Sequence, residues 1–377
     1  MSSQPNVIAI AAGGTGGHIY PALATAEAIS AADPSTQVRF FCGQRKVELA
    51  IYEAAGIEPI VLPMGSFGSG ITGKARTAWQ LWRARRESGR VLRELNPRCL
   101  LAMGGYVAFG PVWAARRLNV PIVLHEQNVV LGRAHQLAGK WAARVACSFP
   151  ETVKGMRGTP AVLTGNPVRA AFLEAERQAA RQHFEIDERA QCIVITGGSQ
   201  GARALNQMVA DGLGLLGQWA AEQSRPLALI WSCGMEHLKQ AQEAVFAAQG
   251  PNLSVVLSPF IDRMDLACAA ADLAVGRAGA GTISEQTARG LPAVLVPLPG
   301  SIHDHQQLNA ESISRRGAAV ILNEAEPAGN GLGRLLIDLL SDQQRLDEMA
   351  AASKRCGRPN AAERLAQLVA SLGADEK

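Results

Sequence analysis

Two stretches of the sequence share one local plan, and this repetition limits the fold more than any other feature. Residues 7–24, VIAIAAGGTGGHIYPALA, give an apolar strand, a glycine-rich turn and the start of a helix with Pro21 in its first turn. Residues 192–206, CIVITGGSQGARALN, repeat the order of strand, double glycine, small polar residue, glycine and helix. Because this unit opens a doubly wound sheet, we expect two Rossmann-like domains with a cleft between them.

Short apolar segments alternate with helical segments through both halves, which predicts an α/β fold with parallel sheets. The expected strands after the first are 38–41, 60–62, 100–103, 121–125, 144–147, 192–196, 227–231, 255–257, 273–275, 293–296 and 319–321. Gly, Asn and Pro cluster around 165–169, which favours a linker there. We therefore expect domains at 1–164 and 165–358, with a last helix at about 359–377 that packs back on the first.

Composition excludes several classes of protein. The longest uncharged run, 99–115, contains two glycine turns and falls short of the ~18 apolar residues of a membrane-spanning helix. Seven scattered cysteines without a C-x-x-C pair argue against a disulfide framework or a zinc knuckle and fit a reducing compartment. A net charge of +4 and the lack of a recognition motif argue against nucleic acid as a partner.

Neither glycine turn matches a known nucleotide-cofactor motif. Ile19 stands where a dinucleotide fingerprint starting at Gly14 needs its last glycine, and no Gly-Lys-Ser/Thr follows either turn. The turns therefore favour a phosphate held by backbone N–H groups at a helix start, with no cofactor.

Two polar segments supply further candidate ligands. Residues 276–300 open a helix with small residues at 278–282, followed by Ser284 and Glu285. Unpaired N–H groups at this helix start can hold a diphosphate, and the Glu285 carboxylate can hold a ribose. Residues 125–128, HEQN, follow a strand directly, where ligands of open α/β sheets bind. His303 and His305 have the wrong spacing for one helix face, and Asp-x-Asp is absent, so we expect no metal site.

A basic segment with aromatic residues lies at 74–93. It contains Lys74, Arg76, Arg83, Arg85, Arg86, Arg90 and Arg93 against the single acid Glu87. Trp79 and Trp82 lie one helical turn apart within it. Two interpretations stay open: a solvated helix face with both tryptophans packed inward, or a surface that binds anionic membrane lipid.

Eight motifs taken together closely resemble the MurG family of GT-B glycosyltransferases, over almost the whole chain. They are GGTGGH at 13–18, MGGYV at 103–107, HEQN at 125–128, GNPVR at 165–169, GGSQGA at 197–202, FIDRM at 260–264, GAGTISE at 279–285 and DHQQLNA at 304–310. The resemblance implies two Rossmann-like domains whose parallel sheets face a cleft, and inverting, metal-independent transfer of N-acetylglucosamine from UDP-N-acetylglucosamine. The implied acceptor is the C4 hydroxyl of a lipid-linked MurNAc-pentapeptide in peptidoglycan synthesis. It also implies a peripheral protein on the cytoplasmic face of the plasma (inner) membrane.

The resemblance assigns roles to individual positions. On the second domain it implies that Arg169 and Ser199 face the nucleotide sugar, that Ile261 contacts uracil, and that Glu285 holds the ribose. It implies that the diphosphate is capped by Ala280, Gly281, Thr282, Ile283 and Ser284. Gln306 meets the sugar hydroxyls, with Gln307 the alternative. On the first domain Thr15, Gly16, Gly17 and Asn128 close on the donor and admit the acceptor.

Inverting transfer needs a base for the acceptor hydroxyl. His18 is the first candidate, because an imidazole has a pKa near the working pH. Glu126 is the second, on condition that burial raises its pKa. A structural role also stays open for His18, as a helix-start histidine bonded to a backbone carbonyl. The alternative functions are another metal-independent GT-B glycolipid glycosyltransferase, a UDP-sugar epimerase, and a non-catalytic UDP-sugar-binding protein.

Overall fold

A computed structural model describes residues 6–65, 70–156, 158–198, 201–324 and 331–372. The chain divides into two compact units. The first unit comprises Met1–Arg169 with Arg358–Lys377, and the second comprises Ala170–Gly357.

The described part of the first unit is built on a seven-stranded parallel sheet in the order β3-β2-β1-β4-β5-β6-β7. Its strands are β1 (Val7–Ala11), β2 (Gln37–Cys42), β3 (Ile60–Val61), β4 (Cys99–Ala102), β5 (Ile122–Glu126), β6 (Arg144–Cys147) and β7 (Ala161–Leu163). Its helices before Arg169 are α1 (Gly16–Ala32), α2 (Lys46–Ala54), α3 (Gly70–Leu95), α4 (Phe109–Arg117), α5 (Arg133–Ala138) and α6 (Pro150–Gly155). Residues of β1 alternate between two cores, with Ile8 and Ile10 on one face and Ala9 and Ala11 on the other.

The second unit repeats this plan with a six-stranded parallel sheet in the order β10-β9-β8-β11-β12-β13. Its strands are β8 (Gln191–Thr196), β9 (Leu227–Ser232), β10 (Leu253–Ser258), β11 (Leu273–Gly276), β12 (Ala293–Leu295) and β13 (Ala319–Ile321). Its helices are α7 (Ala170–Glu174), α8 (Arg177–His183), α9 (Arg203–Ala221), α10 (Leu238–Ala247), α11 (Met264–Ala270), α12 (Ala280–Ala288), α13 (His305–Ser314), α14 (Gly331–Ser341) and α15 (Gln343–Cys356).

The last helix, α16 (Ala361–Ser371), belongs to the first unit although it follows the second in sequence. Leu365, Ala366 and Val369 of α16 are buried in the core that contains Ile29 of α1 and Cys99 of β4. The first unit is therefore made of two separate parts of the chain.

The fold class expected from the sequence is confirmed: both sheets are parallel, and both follow the doubly wound strand order. Strand β7 was not expected, because it is three residues long at the sheet edge and mostly solvent-accessible. The expectation of Pro21 in the first turn of its helix is wrong, because α1 begins at Gly16. Pro21 therefore lies one turn further in and offers no N–H to the Gly17 carbonyl.

Helix α3 carries the basic segment, and its two tryptophans point into solvent. Trp79 is 54% exposed and Trp82 is 53% exposed, so the inward-packed interpretation is wrong. The guanidinium of Arg83 lies 4.7 Å from the Trp79 ring centroid, and that of Arg86 lies 5.7 Å from Trp82. The Lys74 side chain lies outside the described residues.

Across the described residues, no helix is long and apolar enough to span a bilayer. The seven cysteines form no disulfide among the described residues, and six of them are buried, as expected of small apolar side chains.

Candidate functional site

A buried carboxylate that the sequence interpretation did not single out packs against the first glycine turn. Glu48 of α2 is fully buried and accepts hydrogen bonds from the Gly43 N–H at 2.6 Å and from the Tyr106 hydroxyl. A Cβ on Gly13 would lie 2.6 Å from the Val107 side chain and 2.8 Å from the Glu48 carboxylate. The glycine at position 13 is therefore required by close packing against this carboxylate.

His18 lies in the first turn of α1, beside the two glycines that follow β4. A Cβ on Gly104 would lie 3.3 Å from His18 Nε2, and a Cβ on Gly105 would lie 3.6 Å from its Nδ1. Gly104 and Gly105 both have positive φ, so a side chain there would be strained as well as crowded. The pKa of His18 is lowered to about 4, chiefly by burial and next by the nearby His135. Glu126 and the Gly13 backbone act in the opposite direction. At neutral pH His18 is therefore an uncharged imidazole that can accept a proton.

Glu126, at the end of β5, is 3% exposed and has both carboxylate oxygens engaged. Oε1 accepts from the Asn128 N–H at 3.1 Å, and Oε2 accepts from the Gly132 N–H at 2.9 Å. Oε2 also contacts His135 Nδ1 at 2.8 Å. Burial acts to raise the pKa of Glu126, but these hydrogen bonds and the charge of His135 outweigh it and lower the pKa to about 2. The condition set for Glu126 as the base, a raised pKa, is not met.

His135 of α5 is the functional candidate that sequence reasoning missed in this unit. It is 4% exposed, its Nδ1 is held by Glu126, and a Cβ on Gly104 would lie 3.4 Å from its Nε2. His18 Nε2 approaches the same point. The sequence offered no signal for this contact, because nothing in the segment 129–138 shows that it folds back onto the end of β5.

The other predicted residues of the first unit lie at the carboxyl ends of its strands. Thr15 caps α1 through its backbone and makes no side-chain cap bond, and Gly16 and Gly17 begin the helix. Asn128 follows β5, and its carbonyl accepts from the Thr152 hydroxyl at 3.0 Å. The Arg169 guanidinium lies 4.5 Å from the Tyr20 ring centroid, at the end of the first unit.

The predicted anion site of the second unit is the start of α12. Gly279 precedes the helix in an extended conformation and supplies no side-chain cap. The first N–H groups of a helix also have no acceptor within the helix. The Ser284 hydroxyl donates back to the Ala280 carbonyl at 2.8 Å. Backbone donors at Ala280, Gly281 and Thr282 therefore remain for an anion, favoured by the helix dipole.

The remaining predicted residues of the second unit are also near carboxyl ends of strands. Ile261, which is buried, follows β10, and Glu285 lies in α12 with Ile283 buried beside it. The side-chain oxygen of Gln306 accepts from the Leu298 N–H at 2.9 Å, whereas Gln307 donates to Glu311 at 3.0 Å. Gln306 is therefore tied to the loop after β12, and Gln307 is tied along its own helix. Ser199 lies outside the described residues.

Two further residues of the second unit support the start of α12. Arg277 donates to the Val296 carbonyl at 3.1 Å and pairs with Glu324, and both side chains of this ion pair are largely buried. Asn309 is fully buried and donates to the Ala278 carbonyl at 3.2 Å. Both residues fix the loop between β11 and α12, a role that sequence reasoning did not assign.

Within the ranges that the structure describes, no group of three or more His, Cys, Asp or Glu residues is arranged to hold a metal ion.

The sequence and the fold match known glycosyltransferases over nearly the full chain. Residues 8–147 match the glycosyltransferase family 28 N-terminal domain, and residues 192–365 match the family 28 C-terminal domain. A UDP-N-acetylglucosamine–N-acetylmuramyl-(pentapeptide) pyrophosphoryl-undecaprenol N-acetylglucosamine transferase from Halorhodospira halophila is 37% identical over 96% of this chain and 97% of that protein. The chain belongs to the MurG family.

Solved structures agree with this membership. The MurG crystal structure from Acinetobacter baumannii has a TM-score of 0.76 and 29% identity, and the match covers 97% of this chain and 100% of that one. A putative UDP-N-acetylglucosamine 2-epimerase from Listeria monocytogenes has a TM-score of 0.70 at 15% identity over 98% of this chain and 96% of that one, which shows a shared fold alone. Membership in the MurG family makes the chain a glycosyltransferase.

For this MurG-family chain, the predicted residues form two sets. In the first unit His18 and His135 both approach Gly104, and His135 contacts Glu126, whose carboxylate accepts from the Asn128 N–H. In the second unit the helix start at Ala280–Ser284 follows β11, a central strand of the sheet. Each set lies where ligands of open α/β sheets bind.

Proposed function

We propose that this chain transfers N-acetylglucosamine from UDP-N-acetylglucosamine to the C4 hydroxyl of a lipid-linked MurNAc-pentapeptide, in peptidoglycan synthesis. The observation that carries the proposal is the near-full-length similarity to transferases named for this activity. The second unit binds the donor, and the first unit binds the acceptor and the membrane.

The start of α12 is the diphosphate site of this proposal. Its support is the uncapped backbone N–H groups from Ala280 onward and the buried Arg277–Glu324 pair that fixes the preceding loop. Glu285, one turn along, holds the ribose. The side-chain oxygen of Gln306 accepts from the Leu298 N–H, and the amide group of Gln306 holds the sugar. Fixed donors of this kind stabilise the charge that develops on departing UDP.

His18 is the base of this proposal. As the acceptor oxygen bonds to the anomeric carbon, its proton passes to an imidazole nitrogen of His18. The bond from the anomeric carbon to the UDP oxygen breaks at the same time, and its electron pair leaves with the diphosphate. The support is that His18 is uncharged at neutral pH, because its pKa is lowered to about 4, and so has a lone pair to accept the proton.

The first experiment measures UDP release from UDP-N-acetylglucosamine, in EDTA, with and without a lipid-linked muramoyl-pentapeptide analogue. Release that depends on the acceptor and survives EDTA is the expected result. Release without acceptor would instead indicate an epimerase or hydrolase, and binding without release would indicate a sugar-nucleotide-binding protein. Release only with a different glycolipid would keep the reaction class and replace the acceptor.

We also propose that the exposed face of α3 binds the anionic surface of the inner membrane from its cytoplasmic side. Its support is the pair Trp79 and Trp82, both more than half exposed among arginines of the same helix. Aromatic rings beside guanidinium groups suit the boundary between acyl chains and anionic headgroups.

Vesicle cosedimentation tests this surface. The double variant Trp79→Ala/Trp82→Ala is expected to lose most binding to vesicles rich in phosphatidylglycerol. Phe246→Ala, which removes a 75% exposed ring of the second unit, is the matched control and should bind as the unaltered protein does. Equal binding of the double variant, or equal binding to neutral vesicles, would contradict the proposal.

A further inference from the structure

A buried asparagine ties the start of α9 to the end of β9, and the proposed mechanism leaves it without a role. Asn206 lies at the end of the first turn of α9 and is 5% exposed. Its Nδ2 donates to the Cys233 carbonyl at 2.6 Å, and its Oδ1 accepts from Trp231 Nε1 at 3.0 Å. Trp231 and Cys233 belong to the apolar core of the second unit. A polar side chain in such surroundings costs free energy unless both of its ends are paired, as they are here.

The two partners fix which way the amide of Asn206 faces. An indole N–H only donates and a backbone carbonyl only accepts, so the side-chain oxygen must face Trp231 and the side-chain nitrogen must face Cys233. Leucine at this position would leave both partners unpaired. Aspartate would accept from Trp231 but would bring a carboxylate oxygen against the Cys233 carbonyl. The position therefore requires a side chain with one donor end and one acceptor end.

The Cys233 carbonyl also lies close to the second glycine turn, GGSQGA at 197–202. A Cβ on Gly201 would lie 2.7 Å from the Cys233 oxygen, so only glycine fits at this approach. Gly201 has a φ of +73°, and its N–H donates to the Gly198 carbonyl at 3.0 Å. A displacement of the carbonyl that Asn206 holds is therefore passed to the end of the turn, because close-packed groups leave no free space between them.

The backbone of Cys233 is bonded to the neighbouring strand end as well. Its N–H donates to the Ser258 carbonyl at 3.0 Å. β10 ends at Ser258, and Ile261, the predicted uracil contact, follows it. Asn206 thus links the start of α9 to a loop that is already bonded to the end of β10. The carboxyl ends of three neighbouring strands, β8, β9 and β10, are connected in this way.

We propose that Asn206 is a positioning residue for the donor: by holding the Cys233 carbonyl, it keeps the second glycine turn in the geometry that receives the diphosphate-sugar of UDP-N-acetylglucosamine. Glycine turns that lead from a strand into a helix bind phosphate through backbone N–H groups. The proposal rests on the proposed function for the identity of this ligand. Asn206 itself is buried and acts through Cys233 and Gly201. Its loss should therefore weaken donor binding and leave the handling of the acceptor unchanged.

Two substitutions of Asn206 and one of Trp231 separate this positioning role from packing. Asn206→Asp keeps the acceptor for Trp231 and loses the donor to Cys233, whereas Asn206→Leu loses both. Trp231→Phe removes the indole N–H and part of the core, so it should lower the melting temperature, yet it leaves the bond from Asn206 to Cys233 in place. Gln207→Ala is the matched control, because it removes the exposed amide next along α9 and its bond to Gln240.

The experiment titrates UDP-N-acetylglucosamine into each folded variant by calorimetry, without acceptor, alongside melting temperatures and steady-state kinetics. Asn206→Asp and Asn206→Leu should bind the donor about tenfold more weakly and raise its KM, with kcat at saturating donor within about threefold of the unaltered protein. Trp231→Phe should melt at a lower temperature but bind the donor within about threefold of the unaltered protein. Gln207→Ala should change neither quantity. If Asn206→Asp does not fold, Asn206→Leu carries the comparison.

Unaltered donor affinity in both Asn206 variants would overturn the proposal. Equal weakening in Trp231→Phe would also overturn it, since the loss would then follow core packing rather than the bond to Cys233. A fall in kcat with unaltered donor affinity would place Asn206 in another step and contradict its role toward the donor. The binding measurement needs no transfer. A protein that binds the donor without acceptor-dependent UDP release fails the proposed function, while the calorimetry still decides the role of Asn206.

Discussion

Glu48 offers the sharpest test of what stabilises the first unit at its first glycine turn. Its carboxylate is fully buried and accepts from the Gly43 N–H and the Tyr106 hydroxyl. Glu48→Ala removes both bonds, and hydrogen bonds to a charged group contribute about 1.5–3 kcal/mol each. The first unit should therefore lose about 3–6 kcal/mol, which for a unit of this size corresponds to a melting temperature lower by about 10 °C or more.

Differential scanning calorimetry measures this change as a shift of the unfolding transition. Glu53→Ala is the matched control, an exposed glutamate on the same helix, and should leave the transition in place. Glu48→Gln should fall between the two, since its amide keeps one acceptor oxygen for the Gly43 N–H. A Glu48→Ala protein that melts within about 1 °C of the unaltered one would refute the stabilising role of these two hydrogen bonds.

Three further outcomes follow from the first unit. His18→Ala should keep its affinity for UDP-N-acetylglucosamine by calorimetric titration but lose at least about 100-fold in turnover; near-normal turnover would remove His18 from the mechanism. Gly104→Ala should fold yet transfer poorly, because its Cβ would meet both the His18 and His135 rings at a φ of +95°; kinetics equal to those of Gly89→Ala, a helical glycine whose Cβ would make only an ordinary van der Waals contact, would contradict this. The first unit should lose stability on acidification, because His18 and His125, with pKa values lowered to about 4, take up protons more readily when unfolded. That loss occurs as the pH falls from about 6.5 to 4, and Glu126, lowered to about 2, adds a further loss below its unfolded pKa of about 4.5. Thermal scans from pH 8 to 3 should show it, with the acidic part reduced in Glu126→Gln.

The sequence predicted the elements that depend on local pattern. The buried strands were found because each is a short apolar run between turn signals, and β6 and β13 match their expected bounds. The edge strand β7 was missed because half-exposed edges need no such run. The tryptophans of α3 were ambiguous, since a period of one helical turn fits an inward or an outward stripe equally well, and only the packing of α3 on α4 decides between them.

The site was predictable as far as the chemistry lies within one motif. The start of α12 is such a case, because its small residues and the strand before it are contiguous. Contacts between distant segments were not predictable: Tyr106 to Glu48, Asn309 to Ala278, and His135 to Glu126. The interpretation of Glu126 depended on the direction in which its pKa shifts. Three hydrogen bonds set that direction, and they exist only once the loop after β5 has folded back.

The position of α16 in the first unit has a consequence for the order of synthesis. The ribosome makes the whole of Ala170–Gly357 before it makes the helix that completes the core around Ile29 and Cys99. While the second unit already has all of its own strands, the apolar face of α1 that receives Leu365 and Val369 is still open to water. The unit that begins first along the chain is thus the one that finishes last, and a nascent chain stopped short of residue 361 would expose that face to chaperones and proteases.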